Sequence, residues 1–327
     1  MILNGHIDTV SPEPVSEWTH DPYAADIVDG RMYGRGANDM KGGLAAALYA
    51  LKAIRDAGVE PAGTVQLQSV IEEEAGGGGG TLACLLKGYT AGAFIAVEPT
   101  RGMVRIANAG IMYFKVSVVG RTAHAGNAHL GVNAIEKINR VCDALFALDE
   151  KRGREVRYPL FEEGSFGRSC NLSLGIIRGG DWPSTVCGWA EVTGRLSFVP
   201  GETMAGVRGQ VEATVRAVAD ADPWLCEHPP RVEWFGWRCG PWEENPDDPF
   251  IRLLQQTAQE ALGREVRING RSSGVDSRFP HYWGFPGVCF GATGDNNHGI
   301  DEYTLVDQLV PTAKALALLT LKWCGVR

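Results

Sequence analysis

Short apolar runs alternate with Ala- and Leu-rich stretches through the first hundred residues. Thr64–Ile71 and Ala93–Val97 are rich in β-branched and apolar residues and predict strands, whereas Gly43–Ala57 and Thr81–Leu86 have the composition of helices. Such alternation is typical of βαβ units, in which helices join parallel strands. The pattern therefore predicts an α/β fold with a mostly parallel sheet.

A different order of elements begins at Ile111. The apolar spacing predicts four strands and two long helices in the order β-α-β-β-α-β, at Met112–Val119, Val132–Leu148, Asn171–Ile177, Gly188–Phe198, Thr203–Ala219 and Arg231–Trp237. This is the order of a ferredoxin-like split βαβ module. The earlier pattern resumes at Phe250–Leu262, and a helix over Pro311–Lys322 closes the chain. We therefore expect an α/β domain, formed by 1–110 and 239–327, that is interrupted by an inserted α+β module at 111–238.

The chain opens on Met1-Ile2-Leu3-Asn4, which has the composition of a core strand. No residue precedes this strand in the sequence to cover the edge of the sheet, and an uncovered edge promotes aggregation. We therefore expect either that sequence upstream of Met1 is missing or that the start of the chain is mis-assigned.

Composition narrows the class of protein. The 327 residues, 44% hydrophobic and 21% charged, suit a globular protein of two domains. A total of 31 Lys and Arg against 39 Asp and Glu gives a net charge of −8, which gives no indication of a basic surface for nucleic acid or an anionic membrane. No apolar run reaches the roughly 18 residues that cross a bilayer, the first residues do not have the pattern of a secretion signal, and the eight cysteines form no CxxC pair. We expect a cytoplasmic protein.

Imidazole and acidic side chains stand at the ends of several predicted elements. His6 and Asp8 follow the first strand two residues apart, so Asp8 can accept the second ring N–H of His6 and orient the ring for a metal. A polar turn explains the same pair. Asp39 lies among glycines before a helix, where it is either an N-cap or a bridge between two cations.

Three consecutive carboxylates, Glu72-Glu73-Glu74, follow the strand Thr64–Ile71. They repel one another unless a cation or a shared proton relieves them, although a solvated loop is the alternative. Five glycines come next without a Gly-Lys-Ser/Thr, so a phosphate-binding loop is not indicated. Glu98 follows the next apolar run, and His298 lies in a loop before the last helix, where a purely structural histidine is the alternative.

Together these positions supply two imidazoles and three carboxylates at places where α/β sheets carry active sites: His6, Asp39, Glu74, Glu98 and His298. The donor set suits two zinc ions. Each ion would take one histidine and one terminal carboxylate, with Asp39 and a water molecule between the ions. The sequence therefore predicts a dinuclear metal centre.

Over essentially its whole length the chain resembles the dinuclear zinc amidohydrolase and metallopeptidase family of aminoacylase, carboxypeptidase G, acetylornithine deacetylase and succinyl-diaminopimelate desuccinylase. The segments that carry the resemblance occur in the family's order: GHIDTV, WTHDPYAADIVDGRMYGRGANDMKGG, EEEAGGGGGT, VEPT, GRTAHAGNAHLGVNAI, GRLSFVPGE and NNHGIDEY. The resemblance implies a phosphorylase/hydrolase-like catalytic domain and an inserted ferredoxin-like lid, through which the protein forms a homodimer.

The resemblance also implies a division of the metal ligands. It assigns His6 and Glu98 to one ion, assigns Glu74 and His298 to the other, and makes Asp39 the bridge. The ions would be two Zn²⁺, with Co²⁺ or Mn²⁺ as alternatives.

Further roles follow from the same resemblance. Glu73 would be the general base and Asp8 the carboxylate behind His6, while His124 of the lid would reach into the partner's active site to stabilise the oxyanion. An alternative register puts the base and the ligand one residue earlier, because one more glycine follows the Glu run than in many relatives. The family also has a non-proline cis peptide at the position of Asp39–Met40.

The implied reaction is removal of an acyl group from an N-acyl amino acid or a related small amide. Arg271 is the candidate for the substrate carboxylate, since arginine pairs with carboxylates through two hydrogen bonds; a surface arginine in a loop is the alternative. A dipeptidase or carboxypeptidase of the same family and a non-catalytic dimeric homologue are the competing hypotheses. We expect no nucleic acid or membrane partner.

Overall fold

The computed structural model describes residues 1–164 and 167–327. The strands are, in chain order, β1 (Ile2–His6), β2 (Ile27–Val28), β3 (Arg31–Tyr33), β4 (Gln66–Val70), β5 (Phe94–Ala96), β6 (Val104–Asn108), β7 (Gly110–Val119), β8 (Leu172–Gly179), β9 (Trp189–Phe198), β10 (Arg231–Cys239), β11 (Trp242–Glu243), β12 (Ile268–Arg271), β13 (Gly287–Cys289), β14 (Gly294–Asp295) and β15 (Tyr303–Leu305). The α-helices are α1 (Gly42–Asp56), α2 (Thr81–Leu86), α3 (Ala134–Glu155), α4 (Pro159–Gly164), α5 (Met204–Asp220), α6 (Pro223–Glu227), α7 (Pro249–Leu262) and α8 (Val306–Cys324).

The chain forms two compact units. The first unit comprises Met1–Ala107, Glu243–Gly270 and Val275–Arg327, and the second unit comprises Asn108–Trp242 and Arg271–Gly274. The pattern of apolar positions did not predict that the four residues Arg271–Gly274 group with the second unit.

A mixed sheet forms the centre of the first unit. Its strands lie in the order β11-β6-β13-β5-β1-β4, with β12 beside β6. The neighbours β13, β5, β1 and β4 are parallel, whereas β6 runs antiparallel to β13. The predicted α/β fold with a mostly parallel sheet is confirmed.

Strand β1 lies inside the sheet. β1 pairs with β5 on one side and with β4 on the other, so the end of this strand order is β4. All of β1 is buried. The reason is that helical crossovers return later segments to both sides of a parallel strand, and a position in the sequence does not give a position in the sheet.

The second unit is an antiparallel sheet with two helices on one face. Its strand order is β10-β7-β9-β8, and α3 and α5 pack against the alternate strand residues Phe114, Val116 and Val192. The other face, here called the helix-free face, carries Tyr113, Lys115, Ser117, Glu191, Thr193 and Arg195. The predicted ferredoxin-like order of elements is confirmed.

Helix α3 is longer than its apolar spacing predicts, because it continues to Glu155 rather than ending at Leu148. Polar contacts stabilise the additional turns. Arg152 is buried and donates hydrogen bonds of 2.9 Å from Nη1 and Nη2 to the two carboxylate oxygens of Glu202.

Within the two described ranges, no helix is both long and apolar enough to cross a membrane.

Candidate metal centre

The carboxyl ends of three neighbouring parallel strands bring most of the predicted ligands together. His6 is the last residue of β1, Glu73 and Glu74 follow the end of β4, and Glu98 follows β5. Because the three strands are parallel and adjacent, their carboxyl ends lie at one edge of the sheet. His6, Glu73 and Glu98 are buried there.

Two loops supply the remaining donors. Asp39 lies in the irregular turn that leads into α1, where the peptide bond Asp39–Met40 is cis. His298 lies between β14 and β15. Asp39 stands between the two imidazoles, with its Oδ1 3.2 Å from Nε2 of His6 and its Oδ2 3.6 Å from Nε2 of His298. Each carboxylate oxygen of Asp39 therefore faces a different imidazole.

The donors fall into two overlapping groups whose ligand atoms all lie within 4.8 Å of one another. One group is His6, Glu73 and Glu98, and the other is His6, Asp39 and Glu74. His298 adds to the second group, since its Nε2 is 3.1 Å from Oε1 of Glu74. The fold thus gathers all five predicted metal ligands and the predicted base, Glu73, into one cluster.

Glu72 lies outside this cluster, which bears on the alternative register. Its side chain is turned back toward the glycine loop, where Oε2 accepts a hydrogen bond of 2.7 Å from the backbone N–H of Gly79. Glu72 is exposed, whereas Glu73 is buried. The geometry therefore favours Glu73 and Glu74 over Glu72 and Glu73 as the residues of the cluster.

Asp8 contacts both His6 and Glu74. Its backbone carbonyl accepts the hydrogen bond from Nδ1 of His6 at 2.9 Å, and its carboxylate Oδ1 lies farther from the same nitrogen, at 3.5 Å. Oδ2 of Asp8 accepts a hydrogen bond of 3.3 Å from the backbone N–H of Glu74. The carbonyl rather than the carboxylate therefore directs Nε2 of His6 toward the cluster, and the carboxylate connects to the Glu74 backbone.

Glu302 supports the cluster and is not among the residues that the sequence predicts. Its buried carboxylate accepts hydrogen bonds from the backbone N–H groups of Gly36, Asn38 and Asp39, at 3.0, 3.0 and 2.9 Å, and from Nη1 of Arg35 at 2.6 Å. These bonds hold the turn that presents Asp39. The signal available in the sequence was an acidic residue four positions after His298, which on its own is an ordinary feature of a loop.

The electrostatics of the cluster show an excess of negative charge. Burial lowers the pKa of His6, but the hydrogen bond to Asp39 and the charges of Glu98 and Asp39 outweigh burial and raise this pKa to about 10. Hydrogen bonds to Asp39 and Glu74 likewise raise the pKa of His298 to about 10. Both imidazoles therefore hold an extra proton at neutral pH in the absence of a metal.

The pKa values of Glu98 and Glu73 are raised, whereas the pKa of Asp39 is lowered. Burial, together with the charge of Asp39, raises the pKa of Glu98 to about 8. Burial and the charges of Glu98 and Asp276 raise the pKa of Glu73 well above its ordinary value. Although burial acts to raise the pKa of Asp39, hydrogen bonds from His298 and His6 lower it.

This donor set fits divalent metal ions. Carboxylate oxygens and imidazole nitrogens are the ligands of Zn²⁺, Co²⁺ and Mn²⁺ in proteins, and a dication would replace the protons that now offset the carboxylate charges. Two buried oxygens, Oε1 of Glu73 and Oδ1 of Asp8, accept no hydrogen bond from the described residues. A buried oxygen without a donor is unfavourable, and a metal ion or a water molecule bound to it relieves this cost.

Two predicted site residues belong to the second unit. His124 is exposed, and its Nδ1 accepts a hydrogen bond of 3.0 Å from the backbone N–H of Gly126. Arg271 is half-buried at the end of β12. The contacts that define the cluster of the first unit include neither residue, so their roles remain predictions.

Imidazoles and carboxylates that gather at the ends of parallel strands in an α/β unit are typical of metal-dependent enzymes. A family model of sequences, that of peptidase family M20/M25/M40, matches residues 2–322 of the chain. The chain therefore belongs to peptidase family M20/M25/M40 and is a metal-dependent hydrolase of amide or peptide bonds.

Relatives with assigned activities differ in their substrates. The chain is 30% identical to the N-formyl-4-amino-5-aminomethyl-2-methylpyrimidine deformylase of Bacillus subtilis, in an alignment that covers 99% of this chain and 79% of the relative. It is 27% identical to the acetylornithine deacetylase of Vibrio cholerae, over 99% of this chain and 81% of the relative. Among solved structures, the di-peptidase Dug1p of Saccharomyces cerevisiae superposes with a TM-score of 0.77 at 15% identity, over 99% of this chain and 79% of that one, which shows a shared fold.

Proposed function

We propose that the protein is an amidohydrolase that removes the acyl group from an N-acyl amino acid or a related small amide, with two Zn²⁺ ions as cofactors. The observation that supports this most directly is the cluster at the strand ends, where five side chains able to bind metal gather together with the buried carboxylate of Glu73. A fold needs no such concentration of acids for stability, because buried like charges are unfavourable.

The ligand geometry supports a division between two ions. His6 and Glu98 would hold one ion, Glu74 and His298 would hold the other, and Asp39 would bridge them, since its two oxygens face different imidazoles. The ions would polarise the scissile carbonyl and make a water molecule acidic at neutral pH. Co²⁺ and Mn²⁺ accept the same donors.

The proton transfers are assigned to Glu73. Its raised pKa suits a group that takes a proton from the attacking water and gives it to the leaving amine. During this step Asp8 keeps His6 oriented through the hydrogen bond at Nδ1. The partner's His124 would donate a hydrogen bond to the oxyanion, and Arg271 would bind the carboxylate of the substrate.

A homodimer formed through the second unit is part of this proposal. The outer edge of β8 pairs with no other strand in the described ranges, and Ile176 and Ile177 on it are exposed. Phe146 of α3 is also exposed and lies with Ile176 and Ile177 along the same groove. An exposed apolar edge strand is a surface that a second copy can cover. Sedimentation analysis of the wild type and of Ile177→Lys tests this assignment; a wild-type monomer would reject it.

Amine release from a panel of compounds tests the proposed function. The panel contains N-acetyl, N-formyl and N-succinyl amino acids, dipeptides and the N-formylated aminopyrimidine, each assayed with Zn²⁺ and with a chelator. We expect chelator-sensitive hydrolysis of one acyl class of amino acid. Preference for dipeptides would assign the protein to the peptidase branch instead, and no hydrolysis of any compound would reject the proposal.

Substitutions at two neighbouring positions, Glu73 and Glu72, test whether Glu73 is the general base. Glu73→Gln is expected to retain metal but to lose at least about a hundredfold in kcat, in keeping with the usual contribution of a general base. Glu72→Gln is the matched control, because Glu72 is exposed and bonded to Gly79, and it should keep its turnover. Normal turnover in Glu73→Gln would refute the assignment.

A further inference from the structure

Among the residues that the structure describes, no acidic side chain pairs with two half-buried arginines of the second unit, Arg195 and Arg271. Arg195 lies on β9 in the helix-free face, directly opposite Tyr113 of β7 and Ser173 of β8. Its Nη2 donates a hydrogen bond of 3.4 Å to the backbone carbonyl of Ser272, the residue that follows Arg271. Arg195 therefore bonds to the backbone one residue beyond Arg271, and the charge of Arg271 acts on its guanidinium group.

Two other arginines, which are buried, bond to carboxylates. Arg35 bonds to Glu302 at 2.6 Å and Arg152 bonds to Glu202 at 2.9 Å. In the residues that the structure describes, neither Arg195 nor Arg271 has a carboxylate oxygen within 4.0 Å of its nitrogens. In this respect the pair differs from Arg35 and Arg152.

The other ionic groups of the helix-free face are already neutralised. Nζ of Lys115 lies 2.9 Å from Glu233 and 3.8 Å from Glu191, and Arg178 lies 3.9 Å from Glu191. Arg195 is instead next to aromatic rings. Tyr113 packs against Phe235 and Trp237, with ring centroids 6.2 and 6.3 Å apart.

Two adjacent cations that are partly removed from water destabilise the folded chain. Burial lowers the pKa of Arg195, and the positive charge of Arg271 lowers it further. A fold that retains such a pair gains from it only when an anion lies between the two guanidinium groups, since each can offer a carboxylate two parallel hydrogen bonds.

We propose that Arg195 and Arg271 together form a carboxylate-binding site in the second unit, with Tyr113 and Trp237 as its apolar wall. The inference rests on the proposed function and deepens it, because it assigns to the enzyme an acidic substrate, an amide that bears a free carboxylate next to an apolar side chain. An uncharged substrate such as an N-formylated aminopyrimidine would leave both arginines unpaired. Arg195 is the second substrate-binding cation, additional to Arg271.

Calorimetric titration of the zinc-loaded 327-residue protein tests the site without relying on turnover. The probes are 4-methylpentanoate, which has a carboxylate and no amide bond, the matched uncharged 4-methylpentan-1-ol, and inorganic phosphate. The variants are Arg195→Gln, Arg271→Gln and the control Arg178→Gln, which removes an exposed arginine from the same sheet face. We expect the wild type to bind the carboxylate in preference to the alcohol and to phosphate, and each site variant to raise the Kd at least about tenfold, the loss of one charge-assisted hydrogen bond. The control should match the wild type.

Several results would overturn the inference. They are no binding of the carboxylate by the wild type, equal binding of the alcohol, tighter binding of phosphate, or carboxylate binding that Arg195→Gln leaves unchanged, as it would if the probe bound only at the metal ions. Failure of the proposed function is a separate result, because it is read from amine release across the panel.

Thermal unfolding provides a second readout that a structural arginine would move in the opposite direction. Arg195→Gln relieves repulsion between like charges, so its Tm without ligand should equal or exceed that of the wild type, whereas stabilisation by 4-methylpentanoate should disappear. A lower Tm together with unchanged stabilisation by the probe would assign Arg195 to the structure of the sheet and reject the site.

Discussion

Replacing Glu302 by Gln should weaken the metal centre although Glu302 is not a ligand. The carboxylate accepts four hydrogen bonds, three from the backbone of the Asp39 turn and one from the buried Arg35. A Gln side chain has the same shape but only one acceptor oxygen, and its NH₂ group faces donors. Glu302→Gln therefore leaves about two of the four donors without an acceptor and leaves the Arg35 charge without its counterion.

The magnitude follows from these losses. Breaking a buried ion pair costs about 3–5 kcal/mol, and a buried donor without an acceptor costs about 1–3 kcal/mol. Because the amide oxygen of Gln still accepts some of the hydrogen bonds, we expect a loss of about 3 kcal/mol in the free energy of unfolding. Groups that orient a metal ligand typically contribute about 10–100-fold to metal affinity, so displacement of the Asp39 turn should weaken Zn²⁺ binding by that factor.

Urea unfolding of the metal-free protein and Zn²⁺ competition with a chromophoric chelator measure the two effects separately. Glu260→Gln is the control, because Glu260 is exposed and pairs with Lys322 on the surface, where an ion pair contributes about 0–1 kcal/mol. If Glu302→Gln unfolds within about 1 kcal/mol of the wild type and binds Zn²⁺ equally well, the proposed support of Asp39 by Glu302 is incorrect.

Three further predictions concern protons and packing. Zn²⁺ affinity, measured by chelator competition, should rise with pH toward about 10 and level off above it, because His6 and His298 must each lose the proton that their raised pKa retains; a pH-independent affinity between pH 6 and 9 would contradict this. Gly43→Ala should destabilise the first unit by several kcal/mol in urea unfolding, since a Cβ at Gly43 would lie 1.8 Å from the carbonyl oxygen of Val97, and an unchanged midpoint would show that α1 shifts at no cost. Although burial raises the pKa of Asp222, its hydrogen bonds with Lys137 and backbone N–H groups lower it overall, so its contribution is complete above about pH 4 and is lost as the pH falls through the folded-state pKa. The stability difference between the wild type and Asp222→Asn should therefore shrink below about pH 4. A difference that grows there would contradict a lowered pKa of Asp222 in the folded state.

The order of elements and the location of the site follow from local signals. Apolar periodicity predicts the β-α-β-β-α-β order of the second unit. Each strand and helix buries one face, so apolar residues recur at a fixed spacing within each element. Polar residues directly after apolar runs mark His6, Glu74 and Glu98, since strands of a parallel sheet end at a common edge.

Other features depend on residues that are distant in the sequence. The last helix begins at Val306, so Pro311 lies inside α8 rather than at its start, because packing against α1 and α7 outweighs the hydrogen bond that proline cannot make. Glu302 supports Asp39 from 263 positions away, and Arg195 meets Ser272 from 77 positions away.

The sequence by itself determined the fold class, the order of the elements and the set of residues able to hold metal, because these depend on local periodicity and on chemical type. Only the tertiary structure decided that β1 lies inside the sheet, that the carbonyl of Asp8 orients His6, that Glu302 holds the Asp39 turn and that Arg195 bonds to the backbone next to Arg271. Strand order, hydrogen-bond partners and the neighbours of a charge are set by contacts between distant segments. The local sequence around a residue does not reveal such contacts.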